Sequence, residues 1–185
     1  ETTDANGGEI NSLCSSDCHP AFCKIVRASK IGLRRCNNER RRSLEIAIET
    51  GQSYICICHA GIVLVCVPIM DKDKALGGMF FGKCLWGPVT ETLVDDINKK
   101  LQGIQLNENK LDRSIDKLPI IQGKNINKAA EFLFDLLYEV GGFDTRVIRW
   151  RQQRSEQQSK IGEFIQERKK LGTDWEYPLQ SEREL

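Results

Sequence analysis

The chain has 185 residues, of which 40% are hydrophobic and 29% are charged, and its formal net charge is +1. This composition is that of one folded domain of ordinary size, long enough to bury a core. A net charge so close to zero argues against a nucleic-acid or membrane-surface protein for the chain as a whole. No apolar run reaches the roughly 18 residues that a membrane-spanning helix needs.

The ends of the chain and its cysteines suggest where the protein resides. The chain opens on ETTDANGG, without Met or a signal peptide, and stops on SEREL, so we expect an excised fragment. An even number of cysteines in a small secreted chain would suggest disulfides, but this chain is rich in ordinary core residues. We therefore expect a reducing cytoplasm, where cysteines mean metal binding, redox chemistry or packing. All eight lie in the first half of the chain: Cys14, Cys18, Cys23, Cys36, Cys56, Cys58, Cys66 and Cys84.

Two short helices are predicted ahead of the first long apolar run. Pro20 suits the first position of a helix, with His19 before it. Asn37 or Asn38 is expected to cap a second helix over ERRRSLEIAIET, which Gly51 ends. The arginine run in this helix is interpreted as a solvated face and not as a DNA contact.

Three strands are predicted to follow. Residues 54–58 alternate with period two, HAG makes a turn, and residues 62–70 form a β-branched run. MDKDKA is a polar hairpin loop, after which residues 76–86 return as a strand interrupted by glycines. Consecutive strands with tight turns must be antiparallel, and the helices of the first half would cover one face. The predicted fold class is α+β, an antiparallel sheet covered by helices and followed by a long C-terminal helix.

After Pro88 the pattern becomes helical. Residues 89–101 form an amphipathic helix, and NKAAEFLFDLLYEV is a helix apolar enough for the core. The helix predicted over residues 143–171 carries only a sparse apolar stripe, which suits either a solvated tail or a dimerisation helix with heptad spacing. We therefore divide the chain into a sensory domain, residues 1–142, and a signalling helix with a linker, residues 143–185.

The segments AFCKIVRASKIGLRRC, ETGQSYICICHAGIVLVCVPI and ALGGMFFGKC together resemble the PocR-type sensory domain, a PAS-like ligand-binding module of bacterial and archaeal regulators. The resemblance covers roughly residues 4–140 and includes Arg27, the Cys-His-Ala-Gly sequence at 58–61 and the pair Cys23 and Cys36 upstream. It implies a domain that senses small hydrocarbon derivatives such as diols and signals to an AraC-type DNA-binding domain outside this chain. Lys83 departs from the family, which often has Gln there. Four cysteines are additional: Cys14, Cys18, Cys56 and Cys66.

A ligand cavity agrees with this resemblance. A small sheet covered by helices offers one apolar cavity with a few polar groups, as a small and weakly polar ligand requires. For each candidate the alternative is ordinary core packing, and His59 could instead cap the HAG turn by a hydrogen bond. The candidate ligand-binding residues are Tyr54, His59, Met79 and Phe81.

A metal centre is the second candidate site. Three thiols are predicted to converge from separate elements at one end of the sheet: Cys23, Cys36 and Cys58. The fourth ligand would be one of three residues: Cys18, Cys14 or His59. Thiolate-rich ligation favours zinc, which would be structural, or an iron–sulfur cluster, which would itself make the domain a redox or ligand sensor. The alternative is that these are buried core thiols, and we assign Cys66 and Cys84 to the core outright.

A cysteine-dependent enzyme is the rival class. Neighbouring residues on a strand point to opposite faces, so Cys58 and His59 could pair only if the strand had already ended. No phosphate-binding loop or metallohydrolase signature accompanies them. We therefore predict a non-enzymatic sensor whose partners are a small molecule and a second copy of the chain, with no membrane and with DNA reached only through the missing domain.

Overall fold

The computed structural model describes residues 1–10 and 19–172 of the chain. Two of the candidate metal ligands, Cys14 and Cys18, lie outside these residues, as does the predicted linker from residue 174 onward. In chain order the elements are β1 (Thr2–Asp4), α1 (Ala21–Ala28), α2 (Lys30–Thr50), β2 (Tyr54–Ile57), β3 (Val63–Asp71), β4 (Lys74–Cys84), α3 (Glu91–Lys100), α4 (Glu108–Ile115), α5 (Gly123–Gly141) and α6 (Arg146–Gly172).

The four strands form one antiparallel sheet in the order β1-β4-β3-β2. The three strands predicted from the sequence are therefore adjacent, and β1 adds an edge strand in which Thr2 pairs with Met79. The HAG turn between β2 and β3 closes with a hydrogen bond of 2.9 Å from the backbone of Gly61 to Cys58. The α+β fold class with a long C-terminal helix is confirmed.

Helices cover both faces of the sheet. α2 lies on one face, where it forms an apolar cluster with β3 and β4: Leu44, Ala47, Leu64, Cys66 and Phe80. α5 lies on the other face, where a second cluster forms: Ile126, Ala130, Val63, Val65 and Cys84. Side chains alternate along a strand, so Val65 and Cys66 reach opposite faces. The helices of the first half were expected to cover one face, and α5 supplies the cover of the other.

A third cluster closes the end of the sheet beside the β2–β3 turn. Residues from the β2–β3 turn, from the end of β4 and from α1, α3 and α4 meet there: Phe22, Val26, Ala60, Ile62, Leu85, Ile97, Leu111 and Ile115. At burial values of about 1.5–3 kcal/mol for each large apolar side chain, this cluster is a substantial part of the core. It holds α1 against the sheet end, which places the first turn of α1 beside the HAG turn.

The helix boundary predicted at Asn37 or Asn38 is wrong. α2 runs without interruption from Lys30 to Thr50, and both asparagines are exposed on its outer side. Its buried residues recur at helical spacing along the whole length: Gly32, Arg40, Ser43, Leu44 and Ala47. Packing of this stripe therefore determines the helix, and the capping preference of asparagine does not.

The C-terminal helices attach to the far end of the sheet. The Tyr138 hydroxyl of α5 donates to the carbonyl of Pro68 at 2.9 Å and accepts from the backbone of Met70 at 3.1 Å. α5 ends at Gly142, whose backbone is left-handed. The boundary between the sensory domain and the signalling helix is expected from the sequence to follow this residue, and that boundary stays a prediction. None of the helices in the described ranges combines the length and the apolar character of a membrane span.

Candidate functional site

A small cavity lies where α1, α2 and the β2–β3 turn meet, with a volume of about 50 Å³. Each of these elements contributes a thiol: Cys23 from α1, Cys36 from α2 and Cys58 from the first residue after β2. His59 from the same turn completes a group that we call the thiol–imidazole cavity. The structure thus brings three of the four predicted metal ligands, and one of the four predicted ligand-binding residues, to one place.

Local backbone features bring these elements together. A Cβ atom at Gly32 would collide with the backbone carbonyl of Val26, so a glycine is required where α1 and α2 approach most closely. β2 ends before Cys58, whose backbone donates to the Ile62 carbonyl at 2.8 Å as the turn begins. His59 is therefore free of the strand alternation. Its Nε2 lies 3.0 Å from the Sγ of Cys36, a residue of another element.

The site groups are buried, which favours their neutral forms. Burial raises the pKa of Cys23 to about 12 and that of Cys36 to about 11, and it also raises the pKa of Cys58. Burial, followed by the nearby charge of Arg35, lowers the pKa of His59 to about 4. The contact of Cys36 with His59 is thus between a neutral thiol and a neutral imidazole. A cysteine nucleophile needs a thiolate, so these pKa shifts do not favour catalysis.

A network of buried charges borders the cavity, and we call it the ionic network. It consists of six residues: Glu1, Glu9, His19, Arg27, Arg40 and Lys83. Arg27 donates to Glu9 Oε2 at 2.7 Å, and Arg40 bridges Glu9 and Glu1. Lys83 Nζ lies 2.8 Å from Glu1 Oε2 and 2.9 Å from Nδ1 of His19. These side chains are at most 20% exposed. Buried charges are retained only when they are paired, as they are here.

Lys83 reaches this network through a bulge in β4. Val63 pairs with Cys84, but the next residue of β3, Leu64, pairs with Gly82, so Lys83 is an extra residue opposite no partner. Its φ of 51° lies in the left-handed region, which a residue with a side chain rarely adopts. Bulges often re-aim a side chain beside a functional site. This one directs Lys83 to the cavity, which it lines.

Unsatisfied polar atoms concentrate at this place. Four buried side-chain atoms in the described part of the chain have no hydrogen-bond partner: Glu1 Oε1, His19 Nε2, Arg27 Nη1 and His59 Nδ1. Glu1 Oε1 and His19 Nε2 do lie within ion-pair distance of Arg40 and Glu9, but without hydrogen-bond geometry. All four belong to the thiol–imidazole cavity or to the ionic network. Native proteins leave few such atoms unsatisfied, so each calls for an explanation.

The carboxylates of the network also resemble a cation site. One ligand atom each from Glu1, Glu9 and His19 lie within 4.8 Å of one another. The same carboxylates, however, are already paired with Arg27, Arg40 and Lys83. A metal cation here would have to displace or repel three positive charges. We therefore interpret this group as an ion-pair network and not as a metal site.

The remaining candidate ligand-binding residues are not brought together. Tyr54 packs against the cluster on the α2 face, and Phe81 packs against the cluster on the α5 face. The sheet itself therefore separates them, and neither they nor Met79 line the thiol–imidazole cavity. Their binding role stays a prediction. Cys66 and Cys84 are buried in the apolar clusters, as expected.

A second and larger concavity lies between β2, α5 and α6. It has a volume of about 810 Å³, and its lining mixes apolar side chains such as Ile55 and Phe134 with polar ones such as Asn127 and Arg149. We call it the α5–α6 groove. The thiols and imidazoles among the described residues lie outside its lining.

Sequence reasoning missed the ionic network. The arginine run was interpreted as a solvated face, which holds for Arg41 and Arg42 but not for Arg40, which is 4% exposed. Arg40 lies four residues after Cys36, three before Ser43 and four before Leu44, on the buried stripe of α2. That spacing was available from the sequence once α2 was taken as one continuous helix. The ion pairs that Glu1 forms with Arg40 and with the bulged Lys83 could be found only in three dimensions.

Comparison with models of protein families identifies the family of this chain. A family model described as the sensory domain found in PocR matches residues 2–140. No curated protein and no solved structure matches this chain. The match spans β1 to α5 and so includes the sheet, the thiol–imidazole cavity and every residue of the ionic network except Glu1. The chain therefore belongs to the family of PocR sensory domains.

Proposed function

We propose that this domain receives its signal in the thiol–imidazole cavity, where it binds a small oxygen-bearing hydrocarbon derivative such as an alcohol or a diol. The observation that supports this most is the concentration of unpartnered polar atoms at the cavity. Leaving a buried donor or acceptor unpaired costs about 1–3 kcal/mol. Oxygen atoms of a ligand could satisfy Arg27, His19 and His59, so the binding energy would include the relief of these costs.

The size of the cavity limits the ligand. A single water occupies at least about 10–15 Å³ of such space. A volume of 50 Å³ therefore accommodates on the order of three to five non-hydrogen atoms. Compounds of two or three carbons with one or two oxygens have this size.

Thermal unfolding with a panel of two- and three-carbon alcohols and diols tests the proposal. A ligand at a hundredfold excess over its Kd should stabilise the protein by about 2.7 kcal/mol. His59→Leu should abolish the shift, because it removes an unpartnered atom of the cavity. Asn38→Ala, an exposed position on α2, should leave it unchanged. A melting temperature that no compound in the panel moves would contradict alcohols and diols as the ligands of this cavity.

A metal or redox sensor is the second candidate, supported by the convergence of Cys23, Cys36, Cys58 and His59. In a tetrahedral zinc site with Zn–S near 2.3 Å and Zn–N near 2.0–2.1 Å, a sulfur and a nitrogen ligand lie about 3.6 Å apart. The Cys36 Sγ to His59 Nε2 distance of 3.0 Å needs only a small opening to match. His59 would then take the place proposed for Cys18. An iron–sulfur cluster on the same residues would make the centre itself the signal.

Metal analysis separates the two candidates. Zinc, iron and sulfide would be measured on protein prepared without oxygen, and on single variants Cys23→Ser, Cys36→Ser and Cys58→Ser. Each variant should lose the metal, whereas Cys84→Ser, a buried thiol of another cluster, should retain it. Protein that binds none of these after reconstitution would rule out the metal candidate and leave the small-molecule proposal intact.

The proposal also includes where the domain acts and how it passes on its signal. The six described cysteines are free thiols, the state that a reducing cytoplasm maintains. The domain would act without catalysis, passing its signal to a DNA-binding domain outside this chain. Dimerisation would use α6, whose exposed apolar residues Trp150, Ile161 and Ile165 lie on one side of the helix at spacings of 11 and 4 residues.

A further inference from the structure

The guanidinium of Arg27 favours a negatively charged ligand over a neutral alcohol. We infer that the ligand of the thiol–imidazole cavity is a monocarboxylate of two or three carbons, whose carboxylate binds Arg27 Nη1. The inference rests on the proposed function, since it names the class of ligand for the same cavity. Arg27 lines the cavity, and Nη1 of its guanidinium is buried without a hydrogen-bond partner.

The ionic network leaves Arg27 with only part of a counter-charge. Its Nη2 donates to Glu9 Oε2 at 2.7 Å, but Arg40 lies 3.4 Å from the same oxygen. The other carboxylate, Glu1, is shared between Arg40 and Lys83. Glu39 also lines the cavity, but it forms no ion pair with these cations in the described part of the chain. Among the described residues, the carboxylate that Arg27 contacts is thus one that Arg40 shares.

A carboxylate is a better hydrogen-bond partner for Arg27 Nη1 than a hydroxyl is. A hydroxyl oxygen could accept one hydrogen bond from Nη1, but it would bring no negative charge to a guanidinium that shares Glu9 with Arg40. Hydrogen bonds between a guanidinium and a carboxylate are charge-assisted and roughly twice as strong as neutral ones. The second carboxylate oxygen or an α-hydroxyl could contact His19 Nε2 or His59 Nδ1, since a neutral imidazole donates or accepts according to its tautomer.

The rest of the cavity suits a short carbon chain. Its wall at the start of β3 is apolar, formed by Ile62, Val63 and Leu64. Acetate has four non-hydrogen atoms, and propionate and glycolate have five, which fits the three to five or so that the volume allows. A longer or dicarboxylic acid would not fit without rearrangement.

Calorimetric titration with matched compounds tests the inference. Propionate and 1-propanol have the same carbon number, as do glycolate and 1,2-ethanediol, and each pair differs in the carboxylate. We expect the acids to bind at least tenfold more tightly than the neutral partners, as one charged hydrogen bond predicts. Arg27→Gln should abolish acid binding, and Arg27→Lys should weaken it about tenfold because it keeps a charge but loses the planar group. Arg34→Gln, an exposed arginine of α2, should bind as the parent does.

The outcomes separate this inference from the proposed function. Diols that bind while acids do not would overturn the inference and support the cavity as the sensory site. Failure of both classes would overturn both. Acid binding that survives Arg27→Gln would show that Arg27 is not the contact. The melting curve of each variant without ligand establishes whether that variant is folded. If Arg27→Gln does not fold, the binding of acids to Arg27→Lys tests the contact instead.

Discussion

Arg40 shows how much a single position on a helix matters. It lies within the ionic network between Glu1 and Glu9, whereas its neighbour Arg41 pairs with Glu45 on the exposed side of α2. Removing one partner of a buried ion pair leaves the other charge uncompensated and typically costs about 3–5 kcal/mol. An exposed i,i+4 pair contributes about 0.3–0.5 kcal/mol.

We therefore expect Arg40→Met to lower the free energy of unfolding by about 3–5 kcal/mol, and Arg41→Met by less than about 1 kcal/mol. Both substitutions remove one positive charge, so the comparison isolates burial. Urea denaturation of the two variants and the parent measures the difference. Equal losses would show that the ion pairs of Arg40 with Glu1 and Glu9 stabilise the fold no more than an exposed pair does.

His59 should make stability depend on pH. Its pKa is about 4 in the folded protein, below the ordinary value of 6.5, because burial and then Arg35 disfavour the charged form. Between these values the unfolded chain binds more protons, so the free energy of unfolding rises with pH. The contribution of neutral His59 to the free energy of unfolding is complete above about pH 6.5 and is lost as the pH falls toward 4.

His59→Gln removes the pH-dependent contribution of His59 to the free energy of unfolding. The difference in unfolding free energy between parent and variant should therefore shrink as the pH is lowered from 7 to 4, while other titrating groups act on both proteins alike. Denaturant titrations at several pH values measure it. A difference that stays constant with pH would mean that His59 is not held neutral by its surroundings.

At the scale of elements, α2 connects the thiol–imidazole cavity to the C-terminal helix α6. It carries Cys36 and Arg40 near its middle, and at its end Ile48 accepts a hydrogen bond of 2.7 Å from Arg151 of α6. Gly51 ends α2 with a φ of 68°, and a Cβ there would lie 2.5 Å from the carbonyl oxygen of Ile148. The two helices approach closely because this residue has no side chain.

Gly51 and Gly142 form a matched pair for testing that contact. Both have left-handed φ values, 68° and 63°, but a Cβ on Gly142 would meet nothing within 4 Å. Gly142→Ala should cost the conformational penalty alone, about 1–2 kcal/mol. Gly51→Ala should cost more, since α6 must also move off α2. The denaturation midpoints of the two variants measure this, and equal losses would indicate that α6 is not docked there.

At the scale of the whole molecule, the sequence predicts what local patterns control. The β2–β3–β4 meander follows from alternation and turn residues, and the convergence of Cys23, Cys36 and Cys58 follows from the expected order of elements. The sequence does not predict contacts between distant segments, such as Glu1 with Lys83 or Arg27 with Glu9. It also misplaces the start of α2, because a local asparagine signal is weaker than tertiary packing.

The exposed apolar side of α6 leads us to expect a homodimer. Ile161 and Ile165 are 59% and 48% exposed, and burial against a second copy would remove both from water. Ile161→Lys together with Ile165→Lys should shift the protein to a monomer in light scattering. Ser159→Lys should not, because Ser159 is exposed on the opposite side of the same helix. A monomeric parent protein at high concentration would contradict this expectation.

The central claim is that the signal is received in the thiol–imidazole cavity. Backbone amide chemical shifts, followed by NMR while propionate or a propanediol is added, test it most directly. We expect saturable shifts that concentrate around Cys23 on α1, Cys36 on α2 and the turn at Cys58. Shifts that instead centre on the α5–α6 groove, around Ile55 and Phe134, would contradict the claim, as would the absence of any saturable shift.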